Sequence, residues 1–337
     1  MVSMKEIAER CKVSIATVSK ALNGYPDIGD ETRKYILKTA DEMGYLPNAQ
    51  ARALKTKRSY NIGVLFVDEG RSGLTHDYFN HVLEGFKTMA EVKGYDVTFA
   101  SRNISGQRMS YYDHCRYRGV DGVVMACVDF YDEEVQELIR SDIPVVTVDH
   151  VCDGRIAVVS NNIQGMEDLV SYVYQRGHRK IAYVHGEDSA VTRNRLGSFY
   201  RTLQSLGVTI PDEYVRTAPY RDADHAAVQT SELLRLKDPP TCILYPDDVA
   251  AIGGINEIRE RGLRVPEDVS IAGYDGVNIA RILEPRLTTI CQDTEAIGRI
   301  AAEKLIELIE HPKTTLIKSY TVDGTLFQGA SVRDLNR

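Results

Sequence analysis

Runs of strand character alternate with helical stretches over most of the chain, and this alternation constrains the fold more than any other feature. Residues 62–67 form an apolar run, and residues 77–93 then place apolar side chains on one helix face. Further strand-like runs follow at 97–100, 123–126 and 145–148, and a second series comprises 181–184, 242–245 and 269–272. Strands that alternate with helices form parallel sheets covered on both faces. The two series therefore predict two similar α/β lobes.

The first part of the chain has a helical period instead. The apolar residues of a first predicted helix are Met4, Ile7, Ala8 and Cys11. A second helix is predicted over 15–22 with Ser14 as its N-cap, and a third begins near Asp30 and ends at Gly44. Two short helices joined by a turn of two or three residues have the spacing of a helix-turn-helix. We therefore predict a small all-α headpiece.

The second helix leaves small and hydrogen-bonding side chains on its outer face, because its inner face needs Val18 and Leu22. The outward residues are Ile15, Ala16, Ser19, Lys20 and Asn23. Small side chains allow a close approach to DNA, hydroxyls suit phosphates, and Lys20 can reach base edges. Residues 1–60 carry a net charge of +4 and the remainder −11, so the headpiece alone suits a polyanion. On these features a protein-binding three-helix module remains the alternative.

Polar residues follow the strands of the body, at the edge where parallel sheets bind their ligands. The acids and arginines at these positions are Asp68, Asp149, Asp247, Asp248, Asp275, Arg193 and Arg195. Carboxylates accept hydrogen bonds from hydroxyls, arginine donates them, and Tyr78 or Phe79 offers a face for a sugar ring. The pattern favours a polyhydroxylated ligand in a cleft between the lobes. The alternative is that these acids cap helices and the arginines form surface ion pairs.

Signatures of catalysis, export and membrane insertion are missing from the sequence. It contains no phosphate-binding G-x-x-x-x-G-K-[ST], no G-x-G-x-x-G after the first strand and no G-x-S-x-G. Its six cysteines are scattered, and no apolar stretch reaches the roughly 18 residues of a membrane span. We expect a cytoplasmic protein with no catalytic residue, metal or cofactor. An α/β enzyme and an exported solute-binding protein are remote alternatives.

The headpiece resembles that of the lac-repressor/galactose-repressor family. The resemblance is carried by IAERCKVSIATVSKALN at 7–23 and continues in order through TR at 32–33, GYLPN at 44–48 and ARAL at 51–54. It implies major-groove base contacts for Ile15, Ala16 and Lys20. Contacts to phosphates or adjacent bases are implied for Ser14, Thr17, Ser19 and Asn23. Lys12 replaces the usual turn glycine, which predicts a left-handed backbone at a residue with a side chain.

The resemblance also implies a hinge helix between headpiece and body. Asn48 would begin this helix in the DNA minor groove, and Leu54 would be the apolar wedge that kinks the duplex. The expected domains are a headpiece over 1–46, a hinge helix and linker over 47–59, and an effector-binding and dimerisation domain over 60–337. Three crossovers would divide that domain into an N-terminal lobe, 60–159 and about 290–318, and a C-terminal lobe, 160–289 and about 319–337.

The body resembles the family's periplasmic-binding-protein-like sensor. The matching runs are PEDVSIAGYD at 266–275 and LTTICQD at 287–293. By this resemblance Arg195, Asp247 and Asp275 line the effector pocket, and we add Phe79, Asp149 and Arg193 to the candidate site. Two departures affect ligand identity: Gly197 comes one residue early, and Thr294 stands where some members have an aromatic residue.

The function predicted from the sequence is a DNA-binding transcriptional regulator, expected to be a repressor. A homodimer would read a pseudo-palindromic double-stranded operator, and a small carbohydrate would control its affinity. The main alternative keeps this architecture but replaces the sugar with a nucleoside or purine.

Overall fold

The computed structural model describes residues 2–46, 58–68 and 72–336. These fall into two compact units, one ending at Ser59 and the other beginning at Tyr60. No helix within the described ranges is both long and apolar enough to cross a membrane.

The first unit is the predicted three-helix headpiece. Its helices are α1 (Met4–Cys11), α2 (Ile15–Leu22) and α3 (Asp30–Glu42). One fully buried residue from each helix, Ile7, Val18 and Ile36, meets at the centre of the small core. Lys12 ends α1 with φ 55° and ψ 41°, which confirms the left-handed turn expected there. Lysine tolerates this conformation less well than glycine, so the turn carries mild strain.

The second unit begins with the elements of a first α/β lobe. These are β1 (Asn61–Phe66), a 3₁₀ turn (Gly73–Thr75), α4 (Asp77–Val92), β2 (Asp96–Phe99), β3 (Asn103–Ile104), β4 (Gln107–Arg108), α5 (Tyr111–Arg118), β5 (Gly122–Ala126), α6 (Glu133–Arg140), β6 (Val145–Val148) and β7 (Ile156–Ser160). The chain continues with α7 (Asn162–Gln175), β8 (Ile181–His185), α8 (Ala190–Ser205), a 3₁₀ turn (Asp212–Tyr214), β9 (Val215–Thr217), α9 (Ala223–Leu234), β10 (Cys242–Leu244), α10 (Asp248–Glu260), β11 (Ser270–Ala272), α11 (Asn278–Ile282), β12 (Thr289–Cys291), α12 (Thr294–Glu310), β13 (Ser319–Val322) and β14 (Thr325–Phe327).

The first sheet has six parallel strands in the order β13-β7-β6-β5-β1-β2. Successive residues of a strand point to opposite faces, so Val64 packs with α4 and α12 while Leu65 packs with α5 and α6. Both faces are covered, which is why β5 and β6 are buried along their whole length and read as continuous apolar runs.

The second sheet has four parallel strands in the order β11-β10-β8-β9. Helices α7 and α8 pack on one face through residues such as Leu169 and Phe199. Helices α9 and α10 pack on the other through residues such as Leu233 and Ile255. The structure thus has the two α/β lobes with parallel sheets that the alternation predicts.

The chain passes between the lobes three times, after β7, after β12 and after β13. The last crossing differs from the expected boundary, which placed residues from about 319 onward in the C-terminal lobe. Ser319–Val322 instead pairs parallel with Ala157–Ser160 of β7 and extends the first sheet. This strand lies at a sheet edge and is largely exposed, so its sequence gives little apolar signal. The crossings are tied together where Asn161 donates from its side chain to Asp323 at 2.7 Å.

Helices α4 and α12 approach each other closely at two glycines. A Cβ added to Gly298 would lie 1.9 Å from the carbonyl oxygen of Val82, and one added to Gly85 would lie 2.3 Å from that of Glu295. Neither position leaves room for a methyl group without movement of a helix. By contrast, a Cβ added to Gly197 in α8 would have no atom of a neighbouring described residue within 4 Å.

These glycines give a matched pair of substitutions with opposite expected signs. Gly298→Ala should lower the free energy of unfolding by about 1–3 kcal/mol, because the helices must separate. Gly197→Ala should raise it by about 0.5–1 kcal/mol, because it removes backbone entropy from the unfolded chain without a clash. Urea unfolding of both variants measures the difference. Equal effects of one sign would contradict the close packing of α4 on α12.

Candidate DNA-reading helix and effector cleft

Helix α2 is built so that one side closes the headpiece core and the other remains open. Val18 and Ala21 are buried, and Leu22, expected on the inner face with Val18, is only half-buried. Ser14 caps the helix by accepting from the backbone N–H of Thr17 at 3.0 Å. The open positions predicted to face DNA are exposed at Ser14, Ile15, Ala16, Lys20 and Asn23 and half-buried at Thr17 and Ser19.

Two of these side chains are already held in place within the headpiece. Lys20 Nζ lies 2.5 Å from a carboxylate oxygen of Asp27, and Asn23 donates to the carbonyl of Ser19 at 2.5 Å. Both pairs are on the surface, so phosphate or base atoms can replace them at little energetic cost. The predicted minor-groove residues Asn48 and Leu54 lie outside the described residues.

In the second unit, Arg195 is the centre of the cleft wall formed by the second lobe. Its side chain is 3% exposed. The guanidinium donates from Nε to Asn162 Oδ1 at 2.7 Å and from Nη1 to the Pro246 carbonyl at 2.8 Å. It also lies 3.6 Å above the ring of Tyr274. A buried cation needs such partners, because it loses its hydration when it leaves water.

Asp275 completes this wall from the turn after β11. Its Oδ1 lies 3.7 Å from Arg195 Nη2 and accepts from Gln292 Nε2 at 2.6 Å. Burial raises the pKa of Asp275 to about 7, although the charge of Arg195 acts in the opposite direction. The backbone at Asp275 has a positive φ of 94°, a value that aspartate adopts more readily than most residues.

Asp247 is the N-cap of α10 and Asp248 is its first residue, and each carboxylate already accepts hydrogen bonds from two donors. Asp247 accepts from the backbone N–H groups of Ala250 and Arg221 at 2.8 and 2.7 Å. Asp248 accepts from the Thr289 hydroxyl at 2.6 Å and from the Val277 N–H at 2.8 Å. Burial raises the pKa of both carboxyl groups. Asp247 therefore caps a helix, as the alternative interpretation expected, and also lines the cleft.

The first lobe contributes Asp149 and Phe79. Asp149 follows β6 with a φ of 57°, and its carboxylate accepts from the Tyr78 hydroxyl at 2.6 Å and from the Ser160 N–H at 3.1 Å. Burial raises its pKa. Phe79 is half-buried, with its ring edge-on to those of Phe66 and Tyr78 at 5.8 and 4.9 Å. Phe79 therefore packs within its own lobe more than it faces the other.

Arg193 is the predicted effector residue that the structure does not bring to this group. Its side chain is 52% exposed, and its Nη1 lies 2.5 Å from Asp188. Arg193 thus forms the surface ion pair that the alternative interpretation described, and it also interacts with Tyr131 of the first lobe. The remaining predicted residues of the second lobe, Arg195, Asp247 and Asp275, lie together.

Residues that the sequence analysis did not select also line this region. Tyr220 and Arg221 follow β9. This strand has only three residues, none of them fully buried, so the sequence does not predict it or the position of these two residues at a strand end. The Tyr220 hydroxyl lies 2.9 Å from that of Thr192, and its ring fills the space beside Gly186. Gln292 lies in the run LTTICQD that resembles the family pattern. Its contact with Asp275 depends on how the chain leaves β12 toward the first lobe, and the sequence does not specify that geometry.

One group of side chains in the part of the chain that the structure describes has the spacing of a metal site. Ligand atoms of Asp68, His76 and Cys127 lie within 4.8 Å of one another. Asp68 accepts from the N–H groups of Ser72 and Gly73, and His76 caps α4, so both have a structural role without a metal. Burial and the nearby charge of Arg221 lower the pKa of His76 to about 4, so it is neutral at pH 7.

One cavity in the cleft is small. It is bordered by His76, Tyr78, Arg221, Asp247 and Asp275 and has a volume of about 10 Å³, which is room for about one water molecule. A larger groove of about 590 Å³ lies elsewhere, on the first lobe between α4 and β2. The cavity in the cleft is therefore too small for a sugar unless it widens.

Comparison with known proteins matches both units. Residues 3–48 match the family model for bacterial regulatory proteins of the lacI family, and residues 170–332 match that for a periplasmic binding protein-like domain. The chain is 31% identical over 318 residues to the probable HTH-type transcriptional repressor ExuR of Bacillus subtilis, with 93% of each chain covered.

Two solved structures have the same fold. A lac repressor dimer bound to operator and the anti-inducer ONPF aligns with a TM-score of 0.79 at 24% identity, covering 98% of this chain and 99% of that one. A complex of the transcriptional regulator CelR with cellobiose aligns with a TM-score of 0.70 at 22% identity, covering 98% and 100%. With its helix-turn-helix headpiece and two-lobed periplasmic-binding-protein-like domain, the chain belongs to the lacI family of bacterial regulatory proteins.

Proposed function

We propose that this protein is a cytoplasmic transcriptional repressor, not an enzyme, and that a small carbohydrate bound between its lobes controls its affinity for an operator. The observation that carries the sugar assignment is the cluster of Arg195, Asp149, Asp247 and Asp275 at the facing edges of the two sheets. A sugar hydroxyl both donates and accepts hydrogen bonds. A cleft that combines carboxylates with a guanidinium can therefore bind several hydroxyls at once.

We propose that the lobes separate to admit the ligand, because the cavity between Tyr78 of the first lobe and Asp275 of the second holds only about one water molecule. The three crossings are the segments about which the lobes would rotate. A sugar that bridges Asp149 of the first lobe and Asp275 of the second would stabilise one separation over others. Such a difference in affinity between two conformations is what an effector needs in order to shift their populations.

For DNA recognition, we propose that Ile15, Ala16 and Lys20 contact base edges while Ser14, Thr17, Ser19 and Asn23 contact phosphates or adjacent bases. The exposed outer face of α2 supports this assignment. From the family resemblance we further propose that a hinge helix begins at Asn48 and that Leu54 inserts into the minor groove. The lac repressor structure named above is a dimer on its operator. By analogy, two headpieces of this protein would read the two halves of a pseudo-palindrome.

The partner in the proposed homodimer would cover the groove between α4 and β2. Leu74 and Phe99 line this groove and are 59% and 46% exposed, and Leu83 and Val97 lie half-buried beside them. Apolar side chains that line one concave face suit a second copy related by a twofold axis, because the same patch then meets itself.

The proposed base contact of Lys20 can be tested on two duplexes, one selected by the full-length protein from a random-sequence pool and one unrelated. Lys20→Ala should weaken binding to the selected duplex by roughly 10- to 100-fold, as expected for a lost base contact. The loss on the unrelated duplex should be smaller, because only one favourable charge is removed. Fluorescence anisotropy measures both.

Lys38→Ala is the matched control for this substitution. Lys38 lies on α3, and its side chain is 76% exposed in a loose pair with Glu42. It should change binding to both duplexes little and equally. If Lys20→Ala reduced affinity for the two duplexes by the same factor, Lys20 would act on phosphates alone.

The effector class can be tested by a thermal-shift screen of sugars, sugar phosphates, nucleosides and purines. A ligand present at 100 times its Kd stabilises the protein by about 2.7 kcal/mol, which is readily measured. We expect a sugar to raise the melting temperature and Asp275→Asn to reduce the shift strongly, because the amide keeps only one of the two acceptor oxygens and replaces the other with a donor. Asp142→Asn, at an exposed position of the first lobe, is the matched control. Stabilisation by nucleosides or purines alone would replace the sugar with that class.

A further inference from the structure

Arg221 reaches across the cleft from the second lobe to the first. It lies in the turn between β9 and α9 with a φ of 60°, and its backbone N–H donates to Asp247 at 2.7 Å. A positive φ strains a residue with a branched or long side chain, so this turn is held by its surroundings. The result is a long cationic side chain directed along the cleft from a fixed backbone position.

The guanidinium group of Arg221 has only part of the hydrogen bonding and opposite charge that a cation needs. Nη1 donates to the neutral hydroxyl of Ser72 at 2.7 Å. Nη2 lies 3.6 Å from Asp77, which is beyond hydrogen-bond distance, and the Asp77 side chain is 53% exposed. Nε is buried and has no hydrogen-bond partner among the residues that the structure describes. Nε and Nη2 form the edge of an arginine that binds a carboxylate or phosphate through two parallel hydrogen bonds.

The other charged groups of the cleft have more short hydrogen bonds. Arg195 donates from Nε to Asn162 and from Nη1 to the Pro246 carbonyl, and its Nη2 lies 3.7 Å from the buried carboxyl group of Asp275. As described above, each of the four cleft carboxylates already accepts at least one short hydrogen bond from the protein. Among the described residues of the cleft, two further buried polar atoms have no hydrogen-bond partner: the Oε1 of Gln292 and the hydroxyl of Tyr183, which interacts electrostatically with Arg195 and Tyr220. The atoms that still need a partner are thus a cationic donor, a neutral acceptor and a hydroxyl, and Arg221 supplies the charged one.

We propose that the effector is an anionic sugar, whose carboxylate or phosphate binds the Nε–Nη2 edge of Arg221 and one of whose hydroxyls donates to Gln292. This proposal rests on the proposed function and specifies the ligand class of the same cleft. When the lobes separate to admit the ligand, its anionic group takes the place of the contacts that Arg221 makes with Ser72 and Asp77. The ligand then supplies the link between lobes that the arginine makes in the closed cleft.

The test compares matched ligands that differ only in charge. Galactose, galacturonate and galactose 6-phosphate form one series; glucose, glucuronate and glucose 6-phosphate form a second; and ribose and ribose 5-phosphate form a third. Titration calorimetry of the full-length protein measures each Kd. In at least one series the anionic member should bind at least tenfold more tightly than its neutral counterpart. Comparing the Kd of the carboxylate member of a series with that of the phosphate member shows which anion the cleft prefers.

Arg221→Gln should then weaken binding of that anionic sugar by roughly 10- to 100-fold, as expected when a charge-assisted hydrogen-bond pair is lost. Its effect on the neutral sugar should be under threefold. Arg221→Lys should recover part of the affinity, because it restores the charge without the planar fork. Arg201→Gln, at an exposed position of α8, should leave both affinities unchanged. Thermal melting of each variant confirms that it is folded.

Several outcomes would overturn the proposal. If the neutral sugar binds as tightly as its acid and phosphate, the anion is not recognised, although the sugar-binding function stands. If Arg221→Gln weakens the binding of both sugars by the same factor, Arg221 only holds the two lobes together and does not bind the anion. If no sugar of either charge binds, the proposed sugar function fails, and this inference fails with it.

Discussion

The burial of one cation, the guanidinium of Arg195, determines how the cleft is organised. A charge that is 3% exposed must find its solvation within the protein, and it does so from an amide, a carbonyl, an aromatic face and a carboxylate. These groups come from α7, from the turn after β10 and from the turn after β11. Because the partners come from separate parts of the chain, the ends of the parallel strands are brought to common positions around the arginine.

The buried acids have the opposite electrostatic problem. Burial raises the pKa of Asp149, Asp247, Asp248 and Asp275, and for Asp275 the value reaches about 7. A carboxyl group whose pKa is higher in the folded chain than in the unfolded one stabilises the fold while it is neutral. This contribution is complete below the unfolded pKa near 4 and is lost as the pH rises through 7. The folded protein is therefore least stable at pH values at which the cleft carboxylates are charged. A ligand whose hydroxyl groups donate hydrogen bonds to these carboxylates reduces the free-energy cost of burying their charge.

Much of this architecture follows from sequence patterns, because buried helices and strands leave a strong periodic signal. The headpiece helix Ile15–Leu22 and the strand Val145–Val148 have the predicted bounds. Short or edge strands leave a weak signal, which is why β9 is not predicted and β13 is assigned to the wrong lobe. The buried strand β7 is also missing from the predicted strands, although its residues are mostly apolar. The same difference in signal decides which site residues the sequence predicts. The acids that follow predicted strands are among the predicted site residues, whereas Arg221 follows β9 and is not.

Arg193 and Arg195 illustrate that residue type and spacing alone do not show which of two nearby side chains enters a pocket. They are two residues apart on α8 and have the same chemistry, yet one is about half exposed beside Asp188 and the other is buried. A separation of two residues rotates a side chain by about 200° around a helix, so the two arginines point to opposite sides. Which side faces the cleft depends on how α8 packs against the sheet. The family resemblance favoured Arg195 for the pocket, and its burial beside Asp275 agrees with that expectation.

The central claim is that the cleft and the DNA-binding headpiece act on one equilibrium. The most direct measurement is the Kd for a selected operator duplex with and without saturating sugar, together with the Kd for that sugar with and without saturating duplex. Linkage requires the two ratios to be equal, and allosteric couplings of this kind are typically about 5- to 150-fold. We expect equal ratios within that range. Operator affinity that does not change when the sugar saturates the cleft would contradict the claim.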